Sequence, residues 1–204
     1  MTSTPLQHRC RRDRLARGHM AGVLAGALLS LPLSALAADS ALDEVMALLA
    51  QRRQGEVKYV EQDYFKILDE PLKSSGVLVY RAPDHLEKRT LEPKAQSLIL
   101  DGEQLTVTRG HRTYALDLNA YPQMLPLIDS IRDTLAGNER SLERVFKVAF
   151  TGTLASWQLE LVPRAKKVAG QVRVVKIAGA RDEIRSVAIE QTDGDRSLMT
   201  LQPP

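Results

Sequence analysis

One stretch in the middle of this 204-residue chain has the pattern of a single amphipathic helix between two blocks of strands. It runs from Pro122 to Ala136, reads PQMLPLIDSIRDTLA, and is followed by Gly137. Pro126 either bends the start of this helix or moves its beginning to Leu125. Its apolar residues recur at helical spacing, whereas the flanking segments alternate between apolar and polar residues, which is typical of sheet. A one-layer sheet crossed by one such helix closes over either a solid core or a cavity, and this pattern leaves both open.

The first 37 residues have the pattern of a secretory signal peptide. Five arginines precede an apolar run from Met20 to Leu33, and Ala35-Leu36-Ala37 provides the small residues that a signal peptidase requires. The apolar run is too short to cross a bilayer as an anchor. We therefore expect cleavage after Ala37 and a soluble, monomeric periplasmic product that forms one domain over residues 38–204.

Removal of the leader changes the charge balance. The whole chain has 28 Lys and Arg against 25 Asp and Glu, and residues 38–204 keep 23 against 24. The basic excess belongs to the leader, so the composition gives no indication of nucleic-acid binding. The single cysteine, Cys10, is also in the leader, which excludes disulfides and thiolate chemistry from the remainder.

Turn signals divide the segments around the central helix into two meanders. An amphipathic helix is predicted to begin at Ser40, with Asp43 in a capping arrangement, and to end before Gly55. The sharpest turn signal is Asp101-Gly102 between two apolar runs, which predicts a two-residue hairpin. With a short helix over residues 139–146, the pattern predicts two main helices and about ten strands.

Four short motifs carry a resemblance to a known family. The first half contains Gly76-x-Leu78-x-Tyr80-Arg81-x-Pro83, then Pro93-x-x-x-Ser97-Leu98-Ile99-Leu100-Asp101-Gly102-x-x-Leu105. The second half contains Trp157-x-Leu159-x-Leu161-x-Pro163, then Glu190-Gln191-x-Asp193-Gly194-x-Arg196-Ser197. In order and spacing they resemble the LolA-like periplasmic outer-membrane lipoprotein carriers, in a form that ends soon after its last hairpin.

The resemblance implies an α+β, mainly β fold: an incomplete antiparallel β-barrel of about ten strands, covered by a helical lid that encloses an apolar cavity. It implies a carrier that shields the acyl chains of a lipoprotein or another lipid and moves them between the inner and outer membranes. An inner-membrane donor transporter and an outer-membrane acceptor would be its partners. By the same resemblance Arg81 would hydrogen-bond the lid and hold it shut, with a solvated strand-end arginine as the alternative.

A lipid carrier must replace the solvation that a membrane gives to hydrocarbon. At about 0.8 kcal/mol per methylene, a long acyl chain costs on the order of 10 kcal/mol in water, so the cavity must be apolar and its contacts adaptable. The strand alternation leaves open which face is inward, and the same residues would equally form a core. The predicted cavity residues are Val77, Val79, Leu98, Leu100, Leu105, Val107, Trp157, Leu159 and Leu161 from strands, and Met46, Leu49, Met124, Ile128 and Ile131 from helices.

The sequence gives little support for an enzyme. The two histidines after the leader, His85 and His111, form no metal-binding pair, and there is no GxSxG nucleophile motif or phosphate-binding glycine loop. We therefore expect a protein without catalytic activity, metal or cofactor. A second hypothesis is a noncatalytic protein-binding or sensing module on the same fold, which would have a defined protein partner instead of co-purified lipid.

Overall fold

A single antiparallel sheet dominates the computed structural model, which describes residues 34–122 and 124–202. Helix α1 (Ser34–Gln51) precedes the first six strands. Those strands are β1 (Gln54–Tyr64), β2 (Leu72–Arg81), β3 (His85–Glu92), β4 (Gln96–Asp101), β5 (Gln104–Arg109) and β6 (Arg112–Asp117). A 3-10 turn (Leu118–Ala120), helix α2 (Leu125–Leu135) and helix α3 (Glu139–Val145) follow. The remaining elements are β7 (Phe146–Thr153), β8 (Ser156–Pro163), helix α4 (Lys166–Ala169), β9 (Val172–Ala180), β10 (Glu183–Gln191) and β11 (Arg196–Gln202).

The sheet consists of two meanders joined at their outer members. Its strand order is β6-β5-β4-β3-β2-β1-β11-β10-β9-β8-β7. The first and last strands in the chain therefore pair with each other, from Lys58 opposite Gln202 to Tyr64 opposite Arg196. Strands β6 and β7, which flank the helical segment, are the two edges and do not pair with each other. The expectation of a mainly β, incomplete antiparallel barrel is confirmed.

Several predicted boundaries differ from the structure. Helix α1 begins at Ser34, six residues before the predicted start at Ser40, because the intervening residues are rich in alanine and leucine, which favour helix. Helix α2 begins at Leu125, the later of its two expected starts, with Pro126 in its first turn, where proline costs no hydrogen bond. The described residues contain eleven strands and the unpredicted short helix α4. Residues 1–33 of the predicted leader lie outside the described part of the chain.

The packed core lies beneath one half of the sheet. Helices α1 and α3 rest on strand β7, and their apolar residues meet those of β8 and β9. Among the described helices, none is long and apolar enough to cross a membrane. The core consists of Leu42, Val45, Met46, Leu49, Leu142, Phe146, Trp157, Leu159, Leu161, Val175 and Ile177.

Trp157 fixes the end of this core. Its indole packs against Gly179 of β9, where a β-carbon would lie 2.3 Å from the ring, so only glycine fits at that position. The indole nitrogen Nε1 donates a 3.0 Å hydrogen bond to the carbonyl oxygen of Arg181 in the β9–β10 turn. The ring therefore buries its apolar area while its one polar atom remains satisfied.

We predict that the core under the helices carries most of the stability. Leu159 is fully buried, so Leu159→Ala should lower the free energy of unfolding by about 2–5 kcal/mol. The matched control is Leu198→Ala on β11, because Leu198 is 38% exposed and should lose less than about 1 kcal/mol. Urea unfolding followed by circular dichroism measures both changes. Equal losses for the two variants would contradict the assignment of the core.

Candidate functional site

The pairing register assigns every strand residue to one of two faces. Residues directly opposite each other in an antiparallel ladder point to the same side of the sheet. The core residue Leu159 lies opposite Ile177, which lies opposite Val187, and the same chain of pairs continues through Met199. We call this side the inner face. Its residues include Leu159, Ile177, Val187, Met199, Glu61, Tyr59, Leu201, Leu78, Leu86, Leu98, Leu100, Leu105 and Val107.

The register corrects two of the predicted cavity residues. Val77 pairs with Lys58 and Val79 pairs with Glu56, so both valines point away from the inner face. The physical reason is the two-residue period of a strand, which separates Val77 and Val79 from their neighbour Leu78. All the other predicted strand residues share the inner face: Leu98, Leu100, Leu105, Val107, Trp157, Leu159 and Leu161.

Part of the predicted cavity lining is a solid core in this structure. Met46 and Leu49 of α1 are 3% and 1% exposed, and they belong to the same buried cluster as Trp157, Leu159 and Leu161. These five predicted cavity residues are therefore part of the packed core in the helix-covered half of the inner face.

The other half of the inner face is apolar and only partly covered. Eight of its apolar side chains are of intermediate burial, whereas Tyr59, Tyr80, Leu100 and Val107 on the same half are buried. We call this surface the apolar trough. It consists of Val57, Leu78, Leu86, Leu98, Leu105, Val187, Met199 and Leu201.

Helix α2 has the position of a lid beside the trough. It packs against α1 and α3, and its fully buried residues are Ser130 and Thr134 rather than its large apolar ones. Both hydroxyls bond to carbonyls of the same helix, Ser130 to Leu127 at 2.6 Å and Thr134 to Ser130 at 2.7 Å. The predicted cavity residues Ile128 and Ile131 are half-buried, and Met124 is 42% exposed. The apolar area of α2 is therefore only partly used for packing.

The end of the lid is fixed by a close backbone approach. Gly137, with φ of +63°, follows α2 at the left-handed position that favours glycine. A β-carbon there would lie 2.1 Å from the carbonyl oxygen of Met46 on α1. The C-terminal end of α2 is therefore anchored against α1, whereas its N-terminal end begins at the exposed Met124.

An arginine connects the lid to the opposite half of the sheet, but it is Arg132 and not Arg81. The Arg132 guanidinium donates a hydrogen bond to the carbonyl oxygen of Gly102, in the β4–β5 hairpin. Arg81 instead lies at the end of β2, where its Nη1 is 3.5 Å from Nε2 of His85. The predicted lid-locking role of Arg81 is therefore not supported by its position, because the lid carries its own donor.

Arg132 is unusual because it is largely buried and incompletely paired. Its side chain is 12% exposed, and its Nε is buried without a hydrogen-bond partner among the described residues. Its nearest carboxylate is that of Asp129, at 3.7 Å. Burial raises the pKa of Asp129, and the positive charge of Arg132 opposes that shift only in part. The contact between lid and hairpin is therefore made at an energetic cost.

Two cavities open at the end of the sheet that carries Gly102. The first has a volume of about 350 Å³, and Val57, Ile184 and Leu201 line it on the inner face. Charged side chains from Arg52, Glu56, Glu183 and Arg185 surround the same cavity. The second, about 340 Å³, is lined by Val79 and Arg81 among others. Both volumes lie at the lower end of the range for small-molecule sites, about 300–1,000 Å³.

A charged cluster occupies the opposite end of the inner face. Glu61 and Lys88 form an ion pair, and Glu61 also accepts hydrogen bonds from Ser74 at 3.2 Å and Ser197 at 3.4 Å. Asp63 is a further member, because its carboxylate lies within hydrogen-bonding reach of the same Ser197 hydroxyl and is influenced by the charge of Lys88. We call these five residues the Glu61 cluster. The ammonium of Lys88 also lies 5.1 Å from the ring centre of Tyr59.

Asp63 is a carboxylate held in an unfavourable environment. Burial raises its pKa above the ordinary value of 3.8, the hydrogen bond from Ser197 lowers it, and the charge of Glu61 raises it further. A pKa that is higher in the folded state than in the unfolded state means that ionisation of this group destabilises the fold. The ionisation of Asp63 therefore lowers the free energy of unfolding as the pH rises from 3.8 through the higher pKa that this group has in the folded state.

We predict that Asp63→Asn stabilises the protein at neutral pH. The amide keeps the shape of the side chain but carries no charge to desolvate, so the variant should have the higher free energy of unfolding at pH 7. The advantage should shrink as pH falls toward 3.8, because Asp63 of the wild type is then protonated. Urea unfolding at a series of pH values measures the difference. A constant difference at all pH values would contradict the assignment.

An open mainly β sheet, helices on one face and an apolar trough define the class of protein. The chain matches the family described as outer membrane lipoprotein carrier protein LolA-like over residues 34–202. This protein therefore belongs to the LolA-like family. The comparison with curated proteins found no match.

Solved structures of similar fold come from several bacteria. A LolA superfamily protein from Nitrosomonas europaea is 11% identical, with 81% of this chain and 91% of that chain covered and a TM-score of 0.45. The lipoprotein LppX from Mycobacterium tuberculosis is 13% identical, with 80% and 94% covered and a TM-score of 0.44. A chain of the Pseudomonas aeruginosa MucA/MucB complex is 10% identical, with 79% and 56% covered and a TM-score of 0.45.

Proposed function

We propose that this protein is a periplasmic carrier that binds the acyl chains of a lipoprotein or another lipid in the apolar trough. It takes them from a donor at the inner membrane and delivers them to an acceptor at the outer membrane, without catalysis. Membership of the LolA-like family supports the general role. The leader pattern in residues 1–37 supports export.

The observation that carries the proposal is the incomplete burial of the trough. Val57, Leu78, Leu86 and Met199 share the inner face with the core but are only half-buried. Covering apolar area releases about 25 cal/mol per Å², so a hydrocarbon chain laid along the trough gains free energy that the protein alone leaves unused. A contiguous partly exposed apolar surface of this kind is typical of a ligand-binding groove.

The lid must move to admit a complete chain. The cavity of about 350 Å³ at the Gly102 end is small for a lipid, and Arg132 of α2 bonds to the β4–β5 hairpin at the same end. The bond from Arg132 to Gly102 favours the closed position, whereas the unpaired Nε of Arg132 disfavours it by roughly 1–3 kcal/mol. The two terms oppose each other, so the free energy difference between closed and open forms is small and bound lipid determines which one dominates.

Co-purification tests the carrier function directly. The protein is exported with its own leader, purified without detergent, and extracted with organic solvent for mass spectrometry. We expect acyl-chain lipids in the extract, and we expect the lipid-free protein to bind a fluorescent fatty acid. An extract without lipid, together with no binding of the fluorescent fatty acid, would contradict the carrier function.

We predict that Arg132 controls the lid and that Arg81 does not. Arg132→Met keeps the length of the side chain but removes the donor to Gly102, so α2 and residues 101–103 should exchange amide hydrogens several-fold faster. Arg81→Met is the matched control, since Arg81 contacts His85, and it should leave exchange in α2 unchanged. Hydrogen exchange measured by mass spectrometry reports both. Faster exchange of α2 in the Arg81 variant alone would restore the role first expected for Arg81.

A second candidate function is a protein-binding module. Strand β6 is an edge of the sheet, and of its six residues only Leu116 is even partly buried. An exposed edge strand presents backbone groups that can pair with an extended segment of another protein. A polypeptide recovered in place of lipid in the co-purification experiment would favour this function.

A further inference from the structure

The inner face changes from apolar to polar along its strands. Tyr80, Leu86, Leu100 and Leu201 lie toward the end that carries Gly102, which is also the end of the cavity of about 350 Å³. Toward the opposite end of the sheet, the inner face of β1 to β5 and β11 carries polar and charged side chains. These are Glu61, Asp63, Ser74, Lys88, Thr90, Gln96, Arg109 and Ser197.

Specific contacts hold the side chains at the polar end of the inner face in place. Glu61 and Lys88 are 13% and 26% exposed, and Glu61 is held by two serines on neighbouring strands. The adjacent Tyr59 is 1% exposed, and its hydroxyl bonds to Thr90 at 2.7 Å. The polar side chains therefore have fixed positions on four adjacent strands, β3, β2, β1 and β11.

Fold stability does not account for the cluster. A partly buried ion pair loses about as much in desolvation as it gains in attraction, so apolar residues of similar size would serve the fold equally well. Asp63 adds a second carboxylate, and its pKa is raised by burial. An inner face that binds only hydrocarbon does not need these charged groups. An inner face that binds an amphiphile needs polar groups next to its apolar area.

The net charge of the cluster indicates the kind of group that it binds. Glu61 and Asp63 supply two negative charges, and Lys88 supplies one positive charge. Lys88 pairs with Glu61, and its charge also lowers the pKa of Asp63, so two carboxylates share one ammonium. The cluster therefore has one more carboxylate than it has cations, and the natural complement of that excess negative charge is an ammonium group.

We propose that the Glu61 cluster is a head-group site for a primary ammonium adjacent to acyl chains, with those chains lying in the apolar trough toward Gly102. This inference rests on the proposed carrier function and specifies its ligand and the direction in which the ligand lies. An aminophospholipid and the free amino terminus of a diacylated lipopeptide share this chemistry. Both place an ammonium a few bonds from two hydrocarbon chains.

Matched lipids test the head-group preference on the wild-type protein. Binding is measured by fluorescence displacement for a phosphatidylethanolamine and for its N-acetylated form with the same chains. A diacylated lipopeptide with a free amino terminus and its N-acetylated form make the second pair, and the two pairs distinguish the two sources. We expect the free amine to bind roughly tenfold more tightly than the acetylated form in at least one pair.

Three variants then locate the preference on the protein. Glu61→Gln and Asp63→Asn should each reduce the ratio of the affinity for the free amine to the affinity for its acetylated form toward unity. Lys176→Met is the matched control, because Lys176 pairs with Glu190 at 2.8 Å on the other face of the sheet. It should keep the full preference.

The possible outcomes separate this inference from the carrier function. If the wild type binds free and acetylated amines equally in both pairs, the head-group site is wrong and the carrier function stands. A preference that persists in both the Glu61 and the Asp63 variants would also overturn the site. If no lipid of either pair binds, both proposals fail.

Discussion

The ladder between β1 and β11 is the interaction on which the rest of the structure depends. It joins the first and the last strands of the chain, and it converts two separate meanders into one sheet with one continuous inner face. Because the helical segment lies between β6 and β7, the same connectivity leaves the sheet open where the helices must lie. Tyr59, which lies opposite Leu201 in this ladder, is almost fully buried. An open sheet with helices beside its gap follows from this one pairing.

The inner face divides stability and function between its two halves. Beneath α1 and α3 the side chains are packed to exclusion of solvent, and this half supplies the core that a cysteine-free domain needs. Across β10, β11 and β1 to β5 the eight apolar side chains of the trough are only partly covered, although Tyr59, Leu100 and Val107 on the same strands are buried. The protein therefore keeps binding area available without loss of its fold. Asp63 and Arg132 follow the same division. The partly buried carboxylate of Asp63 and the unpaired Nε of Arg132 each lower the stability of the fold locally, as is common near functional sites.

The sequence predicted the architecture well because its turn and periodicity signals are local. Asp101-Gly102 forms the expected hairpin, and the helix that ends at Gly137 lies where its spacing indicated. The candidate site was predicted less well because it depends on long-range register. Alternation separates Val77 and Val79 from Leu78, but it cannot show which of the two sides is the inner face. That depends on the register with the partner strand. The predicted helix contained Arg132 within an apolar pattern, and a charge in that position was the one local signal for the contact with Gly102.

The polar end of the inner face was also beyond local reasoning. Glu61, Lys88 and Ser197 come from three strands that are far apart in sequence, and only the pairing of β11 with β1 and of β1 with β2 and β2 with β3 brings them together. The central claim, that hydrocarbon binds along the half-covered part of this face, can be tested with three methionines in different environments. Met46 lies in the packed core, Met124 at the start of the lid and Met199 in the trough. Methyl NMR of protein labelled at methionine, titrated with a fatty acid, should show shifts and contacts to the chain at Met199 and Met124 but none at Met46. Contacts at Met46 with an unchanged Met199 signal would contradict the account.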